Sequence, residues 1–190
     1  MGSAVHGRPE RSDAAQRDGE LVIPGYSTYL HPIDDTHLLA VGRSGQDVEV
    51  SLFDVSDMSA PRRVDVFTVV GGWETWSAAE HDHHAFAYFP EHHMLALPAV
   101  NFDWRLGNPQ QTILLNVDDE KGLTEVGRIE GPSYWGEQRN VRIGEFIYAF
   151  FGTELKVVSL ASPDEVVADV QLGASAEPVN QLVEVANIVE

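Results

Sequence analysis

The chain contains no cysteine, which excludes disulfides, thiolate nucleophiles and thiolate metal sites. No run approaches the roughly 18 apolar residues that cross a bilayer, and residues 1–19 lack the apolar core of a signal peptide. Positive charge is scarce: 12 Lys and Arg stand against 30 Asp and Glu, the formal net charge is -18, and the lysines are Lys121 and Lys156 alone. Binding to phosphate backbones or anionic headgroups depends on clustered cations, so neither nucleic acid nor membrane insertion is an expected partner of this chain. Helical periodicity is largely missing. So are the common catalytic signatures: there is no His-Glu-x-x-His, no Gly-Lys-Ser/Thr and no Gly-x-Gly-x-x-Gly. Ser44, in Gly42-Arg43-Ser44-Gly45, lacks the second glycine spacing of a nucleophile elbow. No residue is assigned a catalytic role.

What the sequence does contain is a four-strand pattern that occurs three times, each closing on a polar turn. These turns are Leu52-Phe53-Asp54-Val55-Ser56-Asp57, Leu114-Leu115-Asn116-Val117-Asp118-Asp119 and Val157-Val158-Ser159-Leu160-Ala161-Ser162. They recur at roughly 45 to 60 residues, the period of propeller blades. A leading strand is expected at 29–33, 84–89 and 140–143, and a second, more apolar strand at 37–41, 93–97 and 146–150. The third falls at 48–54, 112–116 and 154–159, and the fourth at 63–69, 124–129 and 165–170. All are short, rich in Val, Ile, Leu, Phe and Tyr, and bounded by Gly, Pro, Asp and Ser. Asp and Ser in the turns are expected to bond to nearby backbone amides rather than to hold calcium, for which the ligand spacing is wrong.

The fold expected is all-β: a partial β-propeller of about three four-stranded antiparallel blades. Leu21-Val22-Ile23, ended by Pro24-Gly25 as Gly131-Pro132 ends the second repeat, adds the outer strand of a preceding blade. Residues 1–19 read as a flexible leader or linker, 20–25 as that strand, 26–70, 81–131 and 138–173 as blades, and 174–190 as a tail. Val179, Leu182, Val185, Ala186 and Val189 suit one face of a short helix, and a strand over 181–189 competes with it. Propellers usually close with four or more blades, so missing blades or self-association are expected of what reads as a fragment.

Several runs carry a family resemblance. Leu21-Val22-Ile23-Pro24-Gly25-Tyr26-Ser27-Thr28-Tyr29-Leu30-His31-Pro32, then His37-Leu38-Leu39-Ala40-Val41-Gly42 and Val50-Ser51-Leu52-Phe53-Asp54-Val55-Ser56-Asp57, are followed by Asp82-His83-His84-Ala85-Phe86, Tyr134-Trp135-Gly136 and Ile143-Gly144-Glu145-Phe146-Ile147-Tyr148. In this order they resemble the secreted C-terminal β-propeller family, distantly related to WD repeats. The resemblance implies a propeller fold and an extracellular or cell-envelope setting. It brings no established catalytic residues.

One constellation suits chemistry: His81-Asp82-His83-His84, with His92-His93 further on. On a strand His81 and His83 would share a face and present two imidazoles to a divalent transition ion. The resemblance implies another use, with Asp82 and His83 as a hydrogen-bonding strut of the kind found near this junction in WD-related propellers. Both readings stand at this point. Apart from that ion, no cofactor is implied. Trp73 and Trp76, in Gly71-Gly72-Trp73-Glu74-Thr75-Trp76, and Phe102, Trp104 and Arg105 in the following repeat, form candidate loops for a carbohydrate or protein ligand, because aromatic rings offer large contact area at low entropic cost. The function expected is a non-catalytic extracytoplasmic binding or scaffolding module. The alternative is a metal-dependent hydrolase or oxidoreductase with a histidine site at a propeller mouth, and fold alone does not choose between them.

Overall fold

The computed structural model describes residues 19–173 apart from 104, 106, 134 and 135. The expectations for the leader before residue 19, for the 174–190 tail and for Trp104 lie outside the described residues. Short strands alternate with tight polar turns throughout, and the described helical structure amounts to three 3-10 turns of three residues each. Side chains close the turns as the sequence suggests. Asp54 accepts from the Ser56 amide at 2.8 Å, Asp57 from the Ser59 amide at 2.9 Å and Asp118 from the Lys121 amide at 2.8 Å.

Strands β1 (Tyr26–Pro32), β2 (His37–Ser44), β3 (Asp47–Asp54) and β4 (Arg62–Thr68) form the first antiparallel sheet in that order. The second sheet is less regular. Its leading position is shared by β5 (Glu74–Trp76) and β6 (Ala87–Phe89), which lie along opposite halves of β7 (Met94–Phe102), followed by β8 (Gln110–Asp118) and β9 (Gly122–Glu130). The third sheet is again a simple meander of β10 (Gln138–Ile143), β11 (Phe146–Phe151), β12 (Glu154–Ser159) and β13 (Ser162–Gln171). The second sheet therefore begins at Glu74, ahead of the expected start at 81. The leading strand expected at 84–89 is confined to its last three residues.

Successive side chains of a strand point to opposite faces, and the middle sheet uses both. Leu95, Leu97, Ile113 and Leu115 join Leu39, Val41, Val50 and Leu52 of the first sheet in one core. Met94, Ala96, Leu114 and Ile129 join Ile147, Ala149, Phe151 and Val158 of the third sheet in another. A strand buried on both faces needs an unbroken apolar sequence, and β7 supplies it from Met94 to Val100, every residue of which is buried. Three antiparallel sheets stacked face to face in chain order, two of four strands and a middle one whose two short strands share the leading of four positions, constitute a partial β-propeller.

Residues 21–23 make no ladder with a described strand, yet their position is informative. Ile23 and Pro24 lie over Ala40, Gly42 and Ser51 on the outer face of the first sheet, with Glu49 also lining the cavity of about 10 Å³ between them. Ile129, on the outer strand of the second sheet, packs in the same way onto Ala149 and Val158 of the third. The Cα of Gly19 sits so close to the Ser59 backbone that a Cβ there would lie 2.9 Å from the carbonyl, much as one at Gly127 would meet Pro163. Residues 19–23 thus lie as irregular chain against the outer face of the first sheet.

Candidate functional site on the leading edge of the middle blade

Between β5 and β6 the chain leaves the sheet for ten residues, 77–86, and this excursion holds the histidine cluster. Two side chains explain its shape. Ser77 and Glu80 form a capping box around the 3-10 turn Ala78–Glu80: Ser77 Oγ accepts from the Ala79 amide at 3.2 Å, and Glu80 Oε2 accepts from the Ser77 amide at 3.0 Å. Asp82 then caps a second turn, His83–Ala85, by accepting from the His84 amide at 2.9 Å. An Asp side chain that satisfies a local amide draws the backbone away from a strand ladder.

The excursion ties all three blades together. Toward the first blade, Arg43 donates from Nη1 to both carboxylate oxygens of Glu80, at 3.3 and 3.2 Å, and from Nη2 to Glu74 and to the carbonyls of Gln46 and Thr75. This pair is withdrawn from water, with side-chain exposures of 12% for Arg43 and 1% for Glu80. Within the middle blade, the Ser77 hydroxyl donates to the Pro98 carbonyl at 2.6 Å. Toward the third blade, Arg139 Nη2 donates to Asp82 Oδ2 at 2.5 Å, but here the side chains are 37% and 35% exposed. The amide of His84 above all, then the charges of Arg139, His84 and His83, hold the Asp82 carboxyl below the usual carboxylate range against a smaller opposing effect of burial.

The histidines are arranged differently from a strand pair. His81 ends the first turn with its ring 6.3 Å from that of Trp76. His83 lies against His84 instead, with ring centroids 3.9 Å apart. Asp82, His83 and His84 bring one donor atom each within 4.8 Å of one another. The i, i+2 strand geometry that would have paired His81 with His83 does not arise, because His81 caps the turn at 78–80 and His83 opens the turn at 83–85. Asp82 spans two blades as a strut would, while neither the His83 nor the His84 ring makes a hydrogen bond among the described residues.

The aromatic candidates divide between two places. Trp73, 57% exposed, approaches Phe102 with ring centroids 6.3 Å apart, and its amide donates to the Phe102 carbonyl at 3.0 Å. Gly72 makes this approach possible: it has φ +60°, and a Cβ there would lie 2.1 Å from the Phe102 carbonyl oxygen. Arg105 is exposed on the loop after Phe102, its amide bonded to Asp103 at 2.7 Å. The Trp76 ring lies beside that of His81.

Another polar cluster joins the first two blades through their turns. His37 Nδ1 lies 3.0 Å from Asp34 Oδ2, with Asp119 of the β8–β9 turn within 4.8 Å. Burial raises the Asp34 carboxyl but is outweighed by hydrogen bonds from Thr36 and His37, so it titrates below the usual range. Burial, assisted by the charges of Asp34 and Asp119, raises the Tyr88 phenol.

Sequence reasoning missed Arg43 and Glu80. The Ser-x-x-Glu spacing of Ser77 and Glu80 is a legible capping signal, whereas nothing local announces a partner 37 residues away.

A family model described as "Beta propeller domain" matches residues 12–162. An uncharacterised protein of Methanocaldococcus jannaschii is 38% identical over 141 residues, covering 74% of this chain and 20% of that protein. An uncharacterised protein of Archaeoglobus fulgidus is 43% identical over 81 residues, covering 43% of this chain and 13% of that protein. The chain thus spans a fifth or less of the length of these relatives. Among solved structures, the periplasmic gluconolactonase PpgL of Pseudomonas aeruginosa is similar at 12% identity and a TM-score of 0.46, over 80% of this chain and 56% of that one.

Proposed function

From the premise that this chain belongs to the β-propeller domain family, we propose that it is a non-catalytic binding or scaffolding module of a longer extracytoplasmic protein, recognising a carbohydrate or protein ligand. The observation that carries this reading is the Trp73 ring, 57% exposed beside Phe102. A large aromatic surface held toward solvent by a constrained backbone favours ring stacking with a sugar or with an apolar peptide side chain. Arg105, exposed on the adjoining loop, supplies a cation for the polar groups of such a ligand. The strong acidity of the chain disfavours nucleic acid, and no described helix is long and apolar enough to cross a membrane.

The outer face of the third blade supports membership in a larger array. Val141 and Ile143 are 45% and 56% exposed there, on the side of β10 opposite Asn140, which bonds to Thr112 of the middle blade. Apolar sheet faces prefer cover. In the parent protein this one meets a further blade, and in the isolated chain it drives self-association. Sedimentation of the purified chain at rising concentration tests this, and a strictly monomeric, sharply melting species argues against it.

Ligand recognition is tested by screening the chain against glycan and peptide arrays and comparing each hit with Trp73→Ala. A drop of about tenfold or more in affinity, with the melting temperature unchanged, is expected for a stacking residue. Binding that is indifferent to Trp73→Ala refutes the platform. Fractionation of cells expressing the tagged parent protein tests its location, and recovery in the cytoplasm refutes the extracytoplasmic assignment.

A further inference from the structure

The geometry points to a divalent transition-metal site formed by Asp82, His83 and His84 on the leading edge of the middle blade, a function separate from the aromatic platform and independent of it. The donor atoms already lie within 4.8 Å of one another. A tetrahedral ion with bonds near about 2.0–2.1 Å needs its donors roughly 3.3–3.5 Å apart, so small rotations of the two rings bring these three donors to that spacing. Both imidazoles are exposed and free of hydrogen bonds among the described residues, so nothing else holds them in place. The Asp82–Arg139 ion pair and the His84 amide fix the carboxylate, and a carboxylate has lone pairs enough to keep both partners while binding an ion. Two imidazoles with one carboxylate favour zinc-like borderline ions over calcium or magnesium, which prefer all-oxygen shells. A fourth coordination position is left to water or to an exogenous group.

Arg139 makes the assignment unusually testable. Its guanidinium orients Asp82 but also repels an incoming cation, so Arg139→Gln tightens binding by about tenfold, the effect of one unit charge removed a few ångströms from the ion near the surface. The experiment is calorimetric titration of the tag-free 190-residue chain with Zn²⁺ and separately with Ca²⁺. One zinc per chain is expected, with no calcium taken up at that site. His83→Ala/His84→Ala lowers the zinc affinity about 100-fold or more while the melting temperature of the metal-free chain stays unchanged. His37→Ala, in the other histidine-containing cluster, leaves the titration as it was. Absence of stoichiometric zinc, or zinc retained by the double histidine variant, overturns the site. An Asp82→Asn chain, which keeps an oxygen to cap the turn but loses the carboxylate charge, lowers the affinity about tenfold or more, and unaltered affinity there removes Asp82 from the coordination shell and overturns the three-ligand assignment.

Discussion

The two ends of the 77–86 excursion each reach a neighbouring blade through an ion pair, but in contrasting surroundings. Arg43 and Glu80 are almost fully enclosed, whereas Arg139 and Asp82 are each more than a third exposed. The enclosed pair is embedded in a complete set of partners: Glu80 also serves the Ser77 amide, and Arg43 also serves Glu74 and two carbonyls. Removing one member strands a charge where water cannot reach it. The exposed pair is exchanged for solvent at little cost. The contrast separates a permanent anchor toward the first blade from an adjustable link toward the third.

The sharpest way to break this asymmetry is Glu80→Ala, which orphans part of the Arg43 guanidinium and dismantles the capping box. A loss of about 3–5 kcal/mol is expected in urea unfolding. A loss under about 1 kcal/mol removes the anchor from the account. Ser77→Ala comes next: it takes away a cap and leaves the Pro98 carbonyl without its donor, for a loss of about 2 kcal/mol in the same measurement. Arg139→Ala has the smallest effect, well below that of Ser77→Ala and vanishing as added salt screens the wild-type pair. A large and salt-independent loss contradicts the surface character of that link.

The pH dependence of the Asp82 link follows from the direction of its shift. The folded carboxyl titrates below its unfolded value, so its contribution is complete above about pH 4, the ordinary range for aspartate, and is lost as the pH falls through the folded value. Asp82→Asn should therefore differ from wild type at neutral pH and converge with it in acid. Parallel unfolding curves across the acid range would exclude Asp82 as their cause.

Much of the fold was readable because it is written locally. The alternation of apolar residues, the Gly and Pro boundaries and the Asp and Ser turns located the strands of the first and third blades to within a few residues. The middle blade resisted for a physical reason. Glu74–Trp76 is too short for periodicity to register and follows two glycines that read as loop, yet its Thr75 hydroxyl accepts from the Val48 amide at 2.7 Å and is fully buried. The histidine cluster was legible in composition but not in pairing, because the partner choice turned on whether Asp82 would cap a turn or lie in a strand. Trp73 and Phe102 were both nominated, from separate loops, and their meeting depends on a tertiary approach that Gly72 permits.

The two-sided burial of β7 and β8 has a kinetic consequence. An amide in the first or third sheet exchanges with solvent when one wall of its blade comes away. Every opening that bares the middle ladder, from Met94 to Val100 against Gln110 to Asn116, must disrupt both apolar cores at once. Amide hydrogens in this ladder should therefore be the last to exchange for deuterium, and their opening free energy should approach that of the whole array. The middle blade is then the common hinge of cooperativity: its neighbours can fray separately, but neither can be lost from the fold without passing the disturbance through it.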